Sequence, residues 1–402
     1  MTRRHDLDAL RVFAFGSLIL YHGAMLYVAD WGWHLKSTHL AEWLQWPMLA
    51  VNRWRMALLF LVSGLAIGLY QPARAPGRFA WRRTLRVLLP LLFGMAAIVP
   101  VQAYCQGVAN GAVEPGFGAF MWRYLQLQPW PAGAFDGAEY GVTWNHLWYL
   151  AYLWVYSLLL VALLPLLEST LGRRLQAALA GLRGWRLMLL PALPLVLYMH
   201  LLLPRFPATN DLISDGFQHA QFFTIFLYGY AMARAPGLWD ELVRLRRPLA
   251  GIALALGTVY VPLVLLGGDD ISEARLALAR TLRGAYLWLA LLAILAWSKH
   301  ALDRPFRWLP YANEAVLPWY MLHQSLTVLL AYWLLPHALG PVIEPLLVIG
   351  GTLAGCLLLH EALIRRSALL RPLFGLRPRD PGAAARPARR PDPNAAASPS
   401  PQ

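Results

Sequence analysis

The sequence predicts an all-α fold: a polytopic membrane protein with about ten transmembrane helices and both termini in the cytoplasm. Three observations carry that prediction. Of 402 residues, 58% are hydrophobic and only 14% are charged, against about 25% charged in a soluble domain. So few charges leave too little polar surface to cover a water-soluble globule. The apolar residues also gather in blocks of roughly 20, the length that crosses about 30 Å of hydrocarbon. Finally, the basic residues that give a net charge of +14 concentrate in alternate segments between the blocks.

In chain order, spans are expected near 9–29, 47–70, 84–105, 144–167, 185–204, 217–235, 249–267, 276–298, 312–335 and 342–362. The fifth is punctuated by Pro191, Pro194 and Pro204, tolerable where neighbours satisfy the freed carbonyls. The start is basic before an apolar stretch, like a signal peptide. The stretch is long, however, contains Arg11 and His22, and lacks a small-residue cleavage pattern before Asp30, so it is expected to stay. With the N-terminus inside, most of the 35 Lys and Arg fall on the cytoplasmic side, including Arg74 to Arg86, Arg173 to Arg186 and Arg234 to Arg247. The outside loops hold Asp30, Glu42, Glu114, Asp136, Glu139, Asp211, Asp215, Asp269, Asp270 and Glu273. An error of one span would scramble this alternation.

Residues 1–375 are therefore expected to form one integral membrane domain. Residues 376–402 are Pro-, Ala- and Arg-rich, with nothing to bury, and are expected to be a disordered cytoplasmic tail. The long outside loop, 106–143, is rich in Gly, Pro and aromatics, and 117–128 reads as an interfacial helix. Membrane lipid is the expected surrounding. The basic residues mark orientation, with no nucleic-acid motif among them. Cys105 and Cys356 make neither a CxxC pair nor a disulfide framework. There is no metal-ligand cluster, HExxH, GxSxG or P-loop.

Ionisable groups inside spans are expensive and so are functional candidates. Arg11 and His22 share one face of the first span, about three turns and roughly 16 Å apart. Either an anionic donor at Arg11 extends an arm toward His22, or Arg11 snorkels and pairs with Asp8 while His22 is a helix contact. Arg83 and Arg86, at i and i+3, form either a fork for phosphate oxygens or ordinary positive-inside charge. Arg53 and Arg55 start the second span on the outside, where the topology rule disfavours them. They either bind a carboxylate or snorkel, and Ser63-Gly64 further along permits close helix approach. His146 lies in Asn145-His146-Leu147-Trp148-Tyr149-Leu150, and His323 in Trp319-Tyr320-Met321-Leu322-His323-Gln324. Both stand as candidates for chemistry or for helix–helix hydrogen bonds. Trp31, Trp33, His34, Trp130 and Trp144 are candidates for stacking on sugar rings, or members of an aromatic belt.

Together these stretches resemble the membrane acyltransferase-3 family. The opening Asp6-Leu7-Asp8-Ala9-Leu10-Arg11, followed after ten residues by His22, is similar to that family's first-helix signature. Further likeness lies in Trp33-His34-Leu35-Lys36-Ser37, Arg55-Met56 with Phe60-Leu61-Val62-Ser63-Gly64, Arg83-Thr84-Leu85-Arg86, His146 to Leu150, Tyr320 to His323, and Arg371-Pro372-Leu373-Phe374-Gly375. Within the family the stretches look most like the succinyltransferases of osmoregulated periplasmic glucans, with one departure: Gln324 follows His323 where those carry a second histidine. The resemblance implies a bacterial inner (plasma) membrane enzyme. It implies O-acyl transfer from cytosolic acyl-CoA, succinyl-CoA or acetyl-CoA, to a hydroxyl of a periplasmic glucan or other envelope glycan. No tightly bound cofactor and no metal are expected.

On that resemblance His22 is the catalytic residue, and Arg83 and Arg86 are linked to the acyl-CoA. Some relatives carry an extracytoplasmic esterase-like domain; without one, direct transfer to the acceptor is the simpler expectation. The residues then take expected roles. His22 acts as general base, with His146 and His323 as further catalytic candidates and His146 or a backbone amide at the oxyanion. Arg11, Arg83 and Arg86 hold CoA phosphates. Arg53 or Arg55 steadies a succinyl carboxylate, and Trp33 and His34 meet the acceptor. The rival class is a transporter or flippase of a sugar or acyl-linked substrate, which would often show two related halves.

Overall fold

The computed structural model describes residues 4–268 and 272–378. The acidic pair Asp269-Asp270 and nearly all of the expected tail lie outside the described residues. Among the described residues the regular structure is helical, the one β-type pairing being an isolated bridge between Val28 and Ala41.

The elements follow in order. Helix α1 spans His5–Met25, α2 Gln45–Tyr70 and α3 Pro76–Phe93. A π-turn, Gly94–Ile98, leads into α4, Pro100–Ala109, and the long loop carries α5, Phe117–Leu125. Then come α6 Trp148–Leu167, α7 Thr170–Ala180, α8 Gly184–Leu189, α9 Ala192–Leu201, α10 Gly216–Met232, α11 Pro236–Arg244 and α12 Arg246–Leu265. The chain closes with α13 Glu273–Leu302, α14 Leu309–Leu334, α15 Ile343–Leu359, a second π-turn His360–Ile364 and α16 Leu370–Leu373.

Each expected span meets a helix, and seven helical stretches are long and apolar enough to cross a membrane: Glu42–Tyr70, Pro76–Ala109, Asn145–Leu167, Gly184–Leu201, Arg246–Leu265, Glu273–Leu302 and Ile343–Ile364. The other three expected spans correspond to α1, α10 and α14. Helix α10 has only 17 residues. Helix α1 carries Asp6, Asp8, Arg11 and His22, and α14 carries Asn313, Glu314, His323 and Gln324. The polar load that keeps α1 and α14 from reading as plain spans is also the load that builds the site.

Two local features position that site. Pro100 has no N–H, and just before it the ladder slips to i+5, the Val99 N–H donating to the Gly94 carbonyl at 2.8 Å. Carbonyls of the slipped turn are thereby released to side chains. The Tyr124 hydroxyl sits 3.2 Å from the Met95 carbonyl, and the Ser325 hydroxyl donates to Ile98 at 2.9 Å. The second feature is close packing of α2 on α10. A Cβ on Gly64 would lie 2.0 Å from the Phe226 carbonyl oxygen, and one on Gly229 2.2 Å from that of Leu61. Backbones meet where only glycine fits.

Helix α5 lies within the expected 117–128 stretch and shows two faces. Phe120 and Tyr124 pack on Trp130 and Phe135, while Phe117, Trp122 and Leu125 are exposed.

Candidate active site

A cavity of about 920 Å³ opens among the loops at one end of the helices, lined by segments 31–34, 136–146 and 209–214 together with His22, Arg55, Tyr320 and Gln324. The 31–37 segment is tied beneath the end of α1. Lys36 donates to the Met25 carbonyl at 2.9 Å and to the Val28 carbonyl. An ammonium thus caps the helix's negative end. The Ser37 N–H donates to Leu26 at 3.0 Å and its hydroxyl to buried Glu344 at 2.6 Å. This folds Trp33 over His22, ring centroids 6.2 Å apart and planes within 25°.

The hydrogen-bond geometry fixes the hydrogens on the histidines. Nδ1 of His323 lies 2.7 Å from the Tyr320 carbonyl and 3.2 Å from that of Trp319. A carbonyl only accepts, so Nδ1 carries the hydrogen, and in a neutral ring Nε2 bears the lone pair. That Nε2 lies 2.8 Å from Nδ1 of His22, which therefore donates. Nε2 of His22 is left with its lone pair, on a ring that lines the cavity.

His146 is fixed in the opposite tautomer. Its Nε2 lies 3.0 and 3.2 Å from the carbonyls of Tyr320 and Met321, so Nε2 carries the hydrogen. Its Nδ1 then accepts from the Gln102 amide at 3.3 Å. The Gln102 nitrogen also donates to Ser325 at 2.7 Å, and its oxygen accepts from Asn145 at 3.2 Å and Gln324 at 3.0 Å. Gln324 donates in turn to Nε2 of His34 at 2.9 Å, and Nδ1 of His34 donates to Gln106 at 2.6 Å. Every donor along this chain meets an acceptor, so its direction propagates from two backbone carbonyls of α14. Asn145 takes φ +42° to start the fourth span, a left-handed conformation asparagine tolerates, and so turns His146 inward.

Arg55 lines the same cavity, its guanidinium 3.6 Å from the Tyr21 ring centre and its Nε buried without a partner. Arg53 points elsewhere, 5.9 Å from the ring of Tyr260. Arg11, Arg83 and Arg86 gather away from the cavity. The Arg83 Nε donates to Ser157 at 3.0 Å, and its guanidinium lies within electrostatic reach of both Arg11 and Arg86. Between these arginines and the histidines stands an aromatic layer. Phe15 is 5.9 Å from Tyr149 and 5.2 Å from Tyr320, and the two tyrosines are 6.0 Å apart. Tyr149 is within reach of Arg11 and Arg83, while the Tyr320 hydroxyl donates to the His146 carbonyl.

The structure thus brings His22, His146, His323, His34, Trp33 and Arg55 together, gathers Arg11, Arg83 and Arg86 at a second location, and leaves Arg53 outside both. Trp31 and Trp144 also line the cavity, whereas Trp130 packs in the loop cluster behind it. Sequence reasoning missed Gln102 and Gln106 and quoted Tyr320 and Gln324 without giving either a place in the site. The signal was there for the glutamines: uncharged amides inside apolar blocks, two of them one turn apart. Among the described residues no group of three or more His, Cys, Asp or Glu is placed to hold a metal.

Seven apolar helical stretches long enough to cross a membrane surround this cavity-forming bundle, the build of a multi-helix membrane protein. The model of the acyltransferase-3 family, described as an acyltransferase domain, matches residues 4–361, and the chain belongs to that family. No match is found among curated proteins or among solved structures.

Proposed function

We propose that the protein is a membrane O-acyltransferase that moves an acyl group from cytosolic acyl-CoA to a hydroxyl of a periplasmic glucan or related envelope glycan. One observation carries the reading: His22 offers an unprotonated Nε2 in a cavity wide enough for a sugar, while its other nitrogen is held by His323.

In the proposed reaction, Nε2 of His22 takes the proton of the acceptor hydroxyl as that oxygen attacks the thioester carbonyl. The tetrahedral intermediate collapses, the C–S bond breaks, and the departing sulfur takes the proton back from Nε2. An imidazole suits both transfers, since its ordinary pKa is near 6.5. General-base help of this kind contributes about 10²–10⁴ in rate. The imidazolium formed midway is stabilised through the His323 relay, which ends on backbone carbonyls. His146 has both nitrogens engaged, so its proposed role is to hold Gln102 and Tyr320 in place.

Arg11, Arg83 and Arg86 would hold the donor's phosphates, and the pantetheine arm would run past Phe15, Tyr149 and Tyr320. Arg55 supports a dicarboxylic acyl group such as succinyl. It is a half-buried cation whose buried Nε has no partner and which forms no ion pair with a carboxylate among the described residues, and a free acyl carboxylate would compensate its charge. Trp33 and His34 would meet the sugar. The orientation with both termini cytoplasmic, the count of about ten crossings and the inner-membrane location belong to the same proposal.

The test is mass spectrometry of envelope glycans from cells with and without the protein. Loss of a succinyl increment is expected. Loss of an acetyl increment would change the donor, and glycans unchanged in mass would remove the reading.

A further inference from the structure

The stretch Arg371-Pro372-Leu373-Phe374-Gly375 lies just beyond the residues that the family model matches and has no role so far. In the structure it is a docked turn. The Phe374 ring meets Phe93 edge to face at 5.4 Å. Gly375 adopts φ +70°, and a Cβ there would lie 2.4 Å from a Leu317 methyl and 3.3 Å from the Arg86 carbonyl oxygen. Any other residue would be strained by the backbone and pushed off α3. Arg371 braces the turn from within, donating to the carbonyls of Arg377 at 2.8 Å and Arg365 at 3.2 Å and lying 3.5 Å from the Glu314 carboxylate. The Leu376 N–H closes back onto Arg371 at 2.8 Å.

Arg377 follows two residues after the glycine that touches the Arg86 carbonyl, and Arg82 stands one turn before Arg86 on the same helix. The docked turn thus brings a third like charge to the end of α3 that carries Arg82 and Arg86. Several arginines elsewhere are paired with acids: Arg4 with Asp6, Arg234 with Glu168, Arg244 with Glu241, Arg365 with Glu361. Among the described residues no carboxylate pairs with Arg82, Arg86 or Arg377. Only the Tyr70 hydroxyl approaches, 3.3 Å from Arg82. A like-charged group lacking an internal counter-ion is what an anionic ligand requires.

We infer that the C-terminal turn is part of the donor site, and that Arg377 joins Arg82 and Arg86 in binding the phosphates of the nucleotide end of acyl-CoA. This rests on the acyl-CoA reading above and assigns the phosphate end of that ligand. The separation from the thioester chemistry follows from the fold, since the turn packs on α3 and α14 on the arginine side of the aromatic layer.

The test is equilibrium binding of CoA, dephospho-CoA and phosphate-free pantetheine to the full-length protein in nanodiscs. Wild type is expected to bind in that order of decreasing affinity. Arg377→Ala should weaken CoA about tenfold, the loss of one charge-assisted contact, and leave pantetheine unchanged. Gly375→Val, which displaces the turn and keeps the charge, should do the same. Arg377→Lys should recover part of the loss, and exposed Arg174→Ala should have no effect. Wild-type affinity for CoA in Arg377→Ala beside weakened binding in Arg86→Ala would overturn the turn's role and leave the donor reading standing. An equal loss in Arg174→Ala would reduce the effect to general charge and overturn it too. Failure of wild type to bind CoA would remove the donor reading and this inference together.

Discussion

Nδ1 of His22 lies 2.8 Å from Nε2 of His323, across two helices separated by about three quarters of the chain. The rings are nearly coplanar, within 6°, and the far nitrogen of His323 is committed to backbone carbonyls. The pair therefore has one allowed arrangement of hydrogens when both rings are neutral, with a lone pair on His22 Nε2.

That arrangement makes His323 a positioning residue with a measurable signature. His323→Ala should lower kcat by roughly 10²-fold or more through loss of tautomer control, with KM for both substrates little changed. His323→Gln, which can still accept from His22, should recover part of the rate. A rise in KM with kcat intact would place His323 in substrate binding instead.

Arg55 should determine which acyl group is carried. In Arg55→Ala, succinyl transfer is expected to fall about tenfold or more, the cost of leaving a carboxylate unpaired. Acetyl transfer should fall much less. Competition between labelled succinyl-CoA and acetyl-CoA in one reaction reads the ratio directly, and an unchanged ratio would remove Arg55 from acyl recognition.

The glycine contact between α2 and α10 sets stability. Gly64→Val would drive a side chain into the Phe226 carbonyl, and neither backbone can yield without separating the helices. A drop in the detergent melting temperature and loss of the monodisperse peak are expected. Gly16→Val on α1, where a Cβ meets nothing within 4 Å, should be tolerated.

Outside the spans, Glu241 links α11 to the start of α8. It accepts from Arg244 at 2.7 and 2.8 Å and from the Gly184 N–H at 2.7 Å. Arg244 beside it holds the carboxyl down at about 2, against an ordinary 4.5. A depressed carboxylate stabilises fully above its ordinary value, and that contribution is lost as pH falls from about 4.5 toward 2. Hydrogen exchange at Gly184 should accordingly lose protection over that interval, and Glu241→Gln should show the loss already at neutral pH.

The helices were legible because the bilayer demands long apolar blocks, and Arg11, His22 and His323 stood out against them. Their partnership was not legible. The spacing of Arg11 and His22 on one helix says nothing about a residue 301 positions away. Gln102 was overlooked because an uncharged amide barely interrupts an apolar block, and Gln324 was noted only as a departure from a pattern, yet the two join His34 to His146. The slip at Gly94 was not read from the sequence, where one unbroken span was expected over 84–105; the side chains that take up its freed carbonyls depend on packing with α14. Arg53 and Arg55 looked equivalent in sequence; two residues of helix rotate them roughly 200° apart, and only Arg55 reaches the cavity.

The central claim is tested most directly by acyl transfer in proteoliposomes, with labelled acyl-CoA on the arginine side and glucan in the opposite compartment, comparing wild type with His22→Ala. The account predicts labelled glucan ester from wild type and less than about 1% of that rate from a folded, CoA-binding His22→Ala protein. Ester formation by His22→Ala above a tenth of the wild-type rate would contradict it.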